Sequence, residues 1–132
     1  MLIDGKTIHS ALQSSSKDVV GKGLAEMRKI FSEDVVLVVV DEMSMLSAEF
    51  LVLLDERMRQ LYNADQVFGG MSILLSGDFL QMKCVFGTDL CDALYSPFQP
   101  TQQRAKSLFT EFSIFQMRAQ VKAHCKLQQE CL

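Results

Sequence analysis

The chain has 132 residues, a formal net charge of −3 and 48% hydrophobic residues. That length holds at most one domain, and the apolar content supplies a core, which excludes a disordered chain. The acidic balance argues against a stand-alone nucleic-acid-binding module, and the longest aliphatic run, six residues, is far short of a membrane span.

Near the start stands Thr7-Ile8-His9-Ser10-Ala11-Leu12, preceded by Gly5-Lys6. Gly5-Lys6-Thr7 spells the end of a phosphate loop. However, no first glycine and no buried strand precede it, and Asp4 sets a negative charge beside it. Ser14-Ser15-Ser16 reads as a polar loop, and Gly21-Lys22-Gly23 as a turn, since Ser16 stands where a phosphate loop needs its first glycine. From Val19 to Phe31, apolar residues at Leu24, Met27, Ile30 and Phe31 predict a short helix.

The run Val35-Val36-Leu37-Val38-Val39-Val40 predicts a strand buried on both faces, as in a parallel sheet. Asp41-Glu42 follows at its carboxyl end, where open α/β sheets bind ligands. This is the form of a Walker B element: Asp41 would hold Mg²⁺ through its water shell, and Glu42 would orient and polarise an attacking water. The plainer alternative is a buried strand that stops at a solvated Asp-Glu pair. Ser47 to Tyr62 predicts a helix, with Ser47 as its N-cap. Phe50, Leu51, Leu54, Met58 and Leu61 form one apolar stripe, and Glu49, Asp55, Glu56, Arg57, Arg59 and Gln60 cover the other sides. Gly69-Gly70 turns the chain into a second short strand, Met71 to Ser76, followed by Gly77-Asp78-Phe79-Leu80-Gln81. Strand, helix and strand at this spacing make a βαβ unit with a parallel pair and a right-handed crossover. Asp41, Glu42 and Gln81 are therefore expected at one edge of the sheet. The Gln81 amide there could bond a γ-phosphate or its attacking water, or simply be a solvated loop residue.

Beyond it, Gly87 to Pro100 reads as a turn-rich loop, Gln102 to Phe109 as a short helix, Phe112 to Phe115 as a strand, and Arg118 to Leu132 as a polar helix. The four cysteines, Cys84, Cys91, Cys125 and Cys131, form no C-x-x-C pair and share no ligand spacing with His9 or His124, which points to reduced thiols rather than zinc. No basic segment followed by an apolar core marks a signal peptide.

Together, Asp41-Glu42-Met43-Ser44-Met45, Phe68-Gly69-Gly70 and Gly77-Asp78-Phe79-Leu80-Gln81 resemble the Pif-type (petite-integration-frequency) DNA helicases, RecD-like superfamily 1 enzymes that include the helicase parts of rolling-circle transposons. Thr7-Ile8-His9-Ser10-Ala11-Leu12 is similar to the TIHSAL segment of that family, and Phe115-Gln116-Met117-Arg118-Ala119-Gln120 to its later arginine motif. The order agrees from about Gly5 to Gln120. The resemblance implies an α/β fold, an incomplete P-loop (RecA-like) parallel sheet flanked by helices, as part of an ATP-dependent 5′→3′ DNA helicase. It implies ATP and Mg²⁺ as cofactors and single-stranded DNA as the partner of the full enzyme. The setting would be intracellular, nuclear or mitochondrial, without a membrane. By position, Asp41 is the magnesium-side carboxylate, Glu42 the catalytic base, Gln81 the γ-phosphate sensor and Arg118 the arginine that reaches the γ-phosphate. Thr7 and His9 lie on the segment near DNA.

Two departures qualify this. Met82-Lys83-Cys84-Val85 replaces the family's Leu-Pro-Pro-Val, and no G-x-x-x-x-G-K-[ST] loop occurs anywhere. Residues 1–132 are thus expected to form a partial RecA-like ATPase lobe, lacking the Walker A loop and the second lobe and inactive alone. With its sheet edge open on Val36, Val38 and Val40, the isolated chain is expected to self-associate. The alternatives are a non-catalytic α/β interaction fold or relic of a transposon helicase, and another Walker B-containing P-loop ATPase.

Overall fold

A computed structural model describes residues 7–12, 22–32, 34–62, 64–80 and 82–117. In chain order the elements are α1 (Ile8–Ala11), α2 (Lys22–Ile30), β1 (Leu37–Val40), a 3₁₀ turn (Met43–Met45), α3 (Ala48–Tyr62), a second 3₁₀ turn (Val67–Gly70), β2 (Ser72–Leu75), α4 (Leu90–Tyr95) and α5 (Pro100–Thr110). The fold is α/β. Among the described residues the sheet has two strands, paired in parallel with Leu37 opposite Ser72 and Val40 opposite Leu75.

The core forms on one side of this sheet. Val38, Val40, Ile73 and Leu75 point into an apolar cluster whose fully buried members include Leu12, Met27, Leu51, Leu54, Met58 and Leu90. Side chains alternate along a strand, so Leu37, Val39 and Leu74 point the other way. They are 47%, 57% and 50% exposed, and Val36 before them is 82% exposed. This corrects the expectation of a strand buried on both faces. The aliphatic run belongs to a parallel pair, but the described residues cover only one of its faces. Exposure falls on Val36, Leu37 and Val39, while Val40 is buried and Val38 half-buried.

α3 is the central helix. The Ser47 hydroxyl accepts from the Phe50 N–H at 3.1 Å, the expected N-cap. Its burial is wider than one stripe, for Val52, Asp55 and Arg57 are buried as well. α5 and the Val67–Gly70 turn pack along it, and α4 packs on α5. The turn needs its glycines. Gly69 sits at φ +64°, and a Cβ there would lie 2.5 Å from the Met58 carbonyl oxygen.

Three further expectations are corrected. Lys22 and Gly23 open α2 instead of forming a turn. The stretch from Gly87 to Pro100 contains α4, where the Asp89 carboxylate accepts from the Cys91 N–H at 2.9 Å. Phe112 to Phe115 is coil, not strand. The expected helix from Arg118 onward and the Ser14–Ser16 loop lie outside the described residues.

Candidate functional site

The parallel pairing puts the exits of β1 and β2 at the same end of the sheet. The ladder continues past both strands: the Ser76 N–H donates to the Val40 carbonyl at 2.8 Å, and the Met43 N–H to the Ser76 carbonyl at 2.8 Å. Gly77 makes this approach possible. A Cβ there would lie 2.7 Å from the Met43 nitrogen and 3.3 Å from the Glu42 carbonyl carbon, and its φ of +149° suits glycine alone.

Asp41 and Glu42 stand at this joint, both exposed. Glu42 holds the left-handed conformation, φ 55° and ψ 51°, and its N–H donates to Asp41 Oδ1 at 3.0 Å. A non-glycine residue there is uncommon and costs about 1 kcal/mol. It turns the chain sharply off the strand into the Met43–Met45 turn. The Ser44 hydroxyl in that turn is buried and finds no hydrogen-bond partner among the described residues. Across the joint, Asp78 Oδ1 accepts from the Leu80 N–H at 2.9 Å, closing a tight turn after β2.

The other expected site residues fall differently. Gln81 and Arg118 lie outside the described residues. Thr7 is the exposed residue before α1, and its carbonyl accepts from the Ala11 N–H at 3.0 Å. The exposed His9 ring lies on Phe50 in the first turn of α3, with ring centroids 4.2 Å apart. No three His, Cys, Asp or Glu side chains among the described residues group as a metal cage. Two exposed carboxylates suit Mg²⁺ nonetheless, since that ion keeps several waters and takes one or two carboxylates plus phosphates.

Sequence reasoning missed two polar nodes on α3, the fully buried Asp55 and the half-buried Glu49. Asp55, read as solvent-facing, is fully buried and accepts from the Phe68 N–H at 2.8 Å, Arg59 Nε at 2.9 Å and Arg104 Nη2 at 3.0 Å. Burial pushes its carboxyl up, but those donors outweigh it and hold the pKa below the ordinary aspartate value. Glu49 accepts from the Thr88 N–H at 2.9 Å and the Thr88 hydroxyl at 2.7 Å. There too burial raises the pKa, and the Thr88 bonds outweigh it. A carboxylate on the polar side of a helix gives no local sign that a loop will later close over it. The Phe68-Gly69-Gly70 motif was the available clue, for it is the Phe68 amide that Asp55 holds.

Comparisons with known proteins agree with the motifs. The family described as PIF1-like helicase matches residues 1–93. The chain is similar to the ATP-dependent DNA helicase PIF1 of Saccharomyces cerevisiae, 38% identical over 86 residues that cover 61% of this chain and 10% of that protein. It is also similar to the ATP-dependent DNA helicase Pif1 of a Psychrobacter species, 28% identical over 86 residues that cover 61% of this chain and 13% of the relative. The chain thus spans about a tenth of the length of these relatives. A solved structure of Bacteroides Pif1 bound to single-stranded DNA overlaps 82% of this chain and 23% of its own, at 20% identity and a TM-score of 0.48. With a family match covering more than half of its length, the chain belongs to the PIF1-like helicase family.

Proposed function

We propose that this chain is part of the first RecA-like lobe of an ATP-dependent DNA helicase, and that the joint after β1 and β2 is its nucleotide end. The observation that carries the reading is the pair Asp41-Glu42 at the shared carboxyl end of two parallel strands, with Gly77 packed against it. Asp41 would face the Mg²⁺ side through water, and Glu42 would orient the attacking water as base. Gln81 would sense the γ-phosphate, and Arg118 would neutralise charge developing on the transferred phosphoryl group. Bound Mg²⁺ would supply charge neutralisation at the phosphates. The left-handed Glu42 and the unpaired Ser44 hydroxyl support the reading, since strain and orphaned polar groups gather where a backbone serves a ligand. Thr7 and His9 would lie on the side of single-stranded DNA, the partner of the full enzyme.

The sequence contains no phosphate loop, whose N–H groups and lysine provide most of the grip on nucleotide. The isolated chain is therefore expected to bind nucleotide weakly and to hydrolyse ATP no faster than background, with or without single-stranded DNA. The test is amide line broadening by Mn²⁺ with millimolar ADP. Broadening should centre on Asp41–Met43 and Gly77–Asp78 and vanish in Asp41→Asn. Broadening centred elsewhere would sink the site. No broadening at all would select the second reading, a non-catalytic α/β interaction fold, which the missing phosphate loop favours. DNA-stimulated turnover lost in Glu42→Gln would overturn the expected inactivity.

A further inference from the structure

We infer that Glu49 is a positioning residue for the nucleotide end: its carboxylate holds the return of the loop that leaves Gly77, so that both ends of this loop are fixed to residues 42–49. The inference rests on the nucleotide-end reading for its functional meaning, because Gln81 belongs to this loop by sequence.

The outgoing end is pinned at the joint after β1 and β2. The Met43 N–H donates to the Ser76 carbonyl at 2.8 Å, Gly77 packs on Met43 and Glu42, and the Phe79 and Phe109 ring centroids lie 6.1 Å apart. The returning end is pinned on the first turn of α3, where Glu49 stands. Glu49 Oε2 accepts from the Thr88 N–H at 2.9 Å and Oε1 from the Thr88 hydroxyl at 2.7 Å, so both carboxylate oxygens bond the same residue. Bonds to an ionised acceptor are short and about twice as strong as neutral ones. The Ala48 N–H donates to the Thr88 carbonyl at 2.9 Å, and the buried Gln102 of α5 donates from Nε2 to the Thr88 hydroxyl at 3.2 Å. Gly87 lets the chain come this close: its φ is +88°, and a Cβ there would lie 2.6 Å from Glu49 Oε2 and 2.8 Å from Ser47 Cβ.

Between these two anchors the described residues make only weak contacts. Leu80, Met82, Val85 and Phe86 are 93%, 67%, 70% and 86% exposed. Lys83 and Asp92 pair at 3.6 Å with both side chains in water, where screening leaves such a pair little weight. No proline ring stiffens the loop either, for the two prolines of the sequence are Pro97 and Pro100. Its course is therefore set by its ends. One end rests on the turn that follows Glu42 and the other on Glu49, so the carboxylates after β1 and the loop after β2 share one frame.

Nitrogen-15 relaxation on the full chain reads the order of the loop, and Mn²⁺ with millimolar ADP reads its place. In the parent, amides 82–87 should have order parameters of about 0.8, and Mn²⁺ should broaden Leu80 and Met82 as well as Asp41–Met43. Glu49→Ala and Thr88→Val should each lower those order parameters below about 0.6 and cut the broadening at Leu80 and Met82 at least about twofold. Broadening at Asp41–Met43 should stay as in the parent, whereas a general loss of stability would weaken both places alike. Thr88→Ser keeps the hydroxyl and should behave as the parent in both readouts. Order parameters equal to the parent's in Glu49→Ala and Thr88→Val overturn the inference. A loosened loop that keeps the parent's broadening pattern overturns it too, because Glu49 would then order the loop without positioning it. If the parent shows no broadening while both variants loosen the loop, the nucleotide reading is refuted and the hold of Glu49 on the loop stands.

Discussion

At the scale of single residues, a heavily bonded side chain among the described residues is one that no motif marked. Asp55 joins α3 to the Val67–Gly70 turn through the Phe68 N–H and to α5 through Arg104. Both arginines remain partly exposed, so their charges are screened, but the buried carboxylate has no water to fall back on. Asp55→Ala should destabilise the chain by about 3 kcal/mol, read from urea midpoints, because it removes the acceptor of a buried amide and the partner of two guanidiniums. The pH dependence has a definite sign. The folded pKa lies below the unfolded value of about 3.9, so the stabilisation is fully present above roughly pH 4 to 5 and is lost as pH falls through the folded pKa. Glu49 acts in the same direction. Acid unfolding of the parent should therefore steepen below about pH 4, and Asp55→Asn should flatten that slope while lowering stability at pH 7. An unchanged slope would mean that Asp55 is not held ionised in the fold.

Elements were legible where local chemistry alone decides them. The apolar stripe and the Ser47 cap marked α3, and the Gly69-Gly70 turn and the two aliphatic runs marked the parallel pair. α5 begins earlier than its apolar spacing suggests because Pro100 occupies the first helical position, where its missing N–H costs nothing, and Gln102 Oε1 accepts from the Gln99 N–H at 3.2 Å. α4 was hidden because six residues are too few to show a helical period. It is held from outside, through the Ala48 N–H donated to the Thr88 carbonyl at 2.9 Å and the antiparallel bridge from Ser47 to Asp89. The 3₁₀ turn after α3 is the element with the least tolerance. Gly69→Ala forces a Cβ against the Met58 carbonyl at a left-handed φ and should cost about 2–3 kcal/mol. Circular dichroism melts of the variant would check this. A melting temperature equal to the parent's would show that the turn can move off α3.

At the scale of the molecule, the sheet is the weak point. Val36, Leu37, Val39 and Leu74 expose apolar surface beside a β1 edge unpaired among the described residues, a combination that promotes association. At about 25 cal/mol per Å², a few hundred Å² left in water forgoes several kcal/mol, comparable with the net stability of a small domain. The isolated chain should self-associate with rising concentration in sedimentation runs, and Val39→Lys with Leu74→Lys should suppress this. A monomer with a sharp, reversible transition at all concentrations would count against it. The sequence by itself determined the α/β class, the parallel pair and the order of motifs, because strand runs, caps and turns act over a few neighbouring residues. It also held the position of Asp41 and Glu42 at a strand end. Only the tertiary structure decided that the described residues cover one face of the sheet and leave the other open, that Gly77 presses β2's exit onto Glu42, and that Asp55 is buried as the tie between α3, α5 and the glycine turn. Each of these depends on segments distant in the chain meeting in space, which residue periodicity cannot encode.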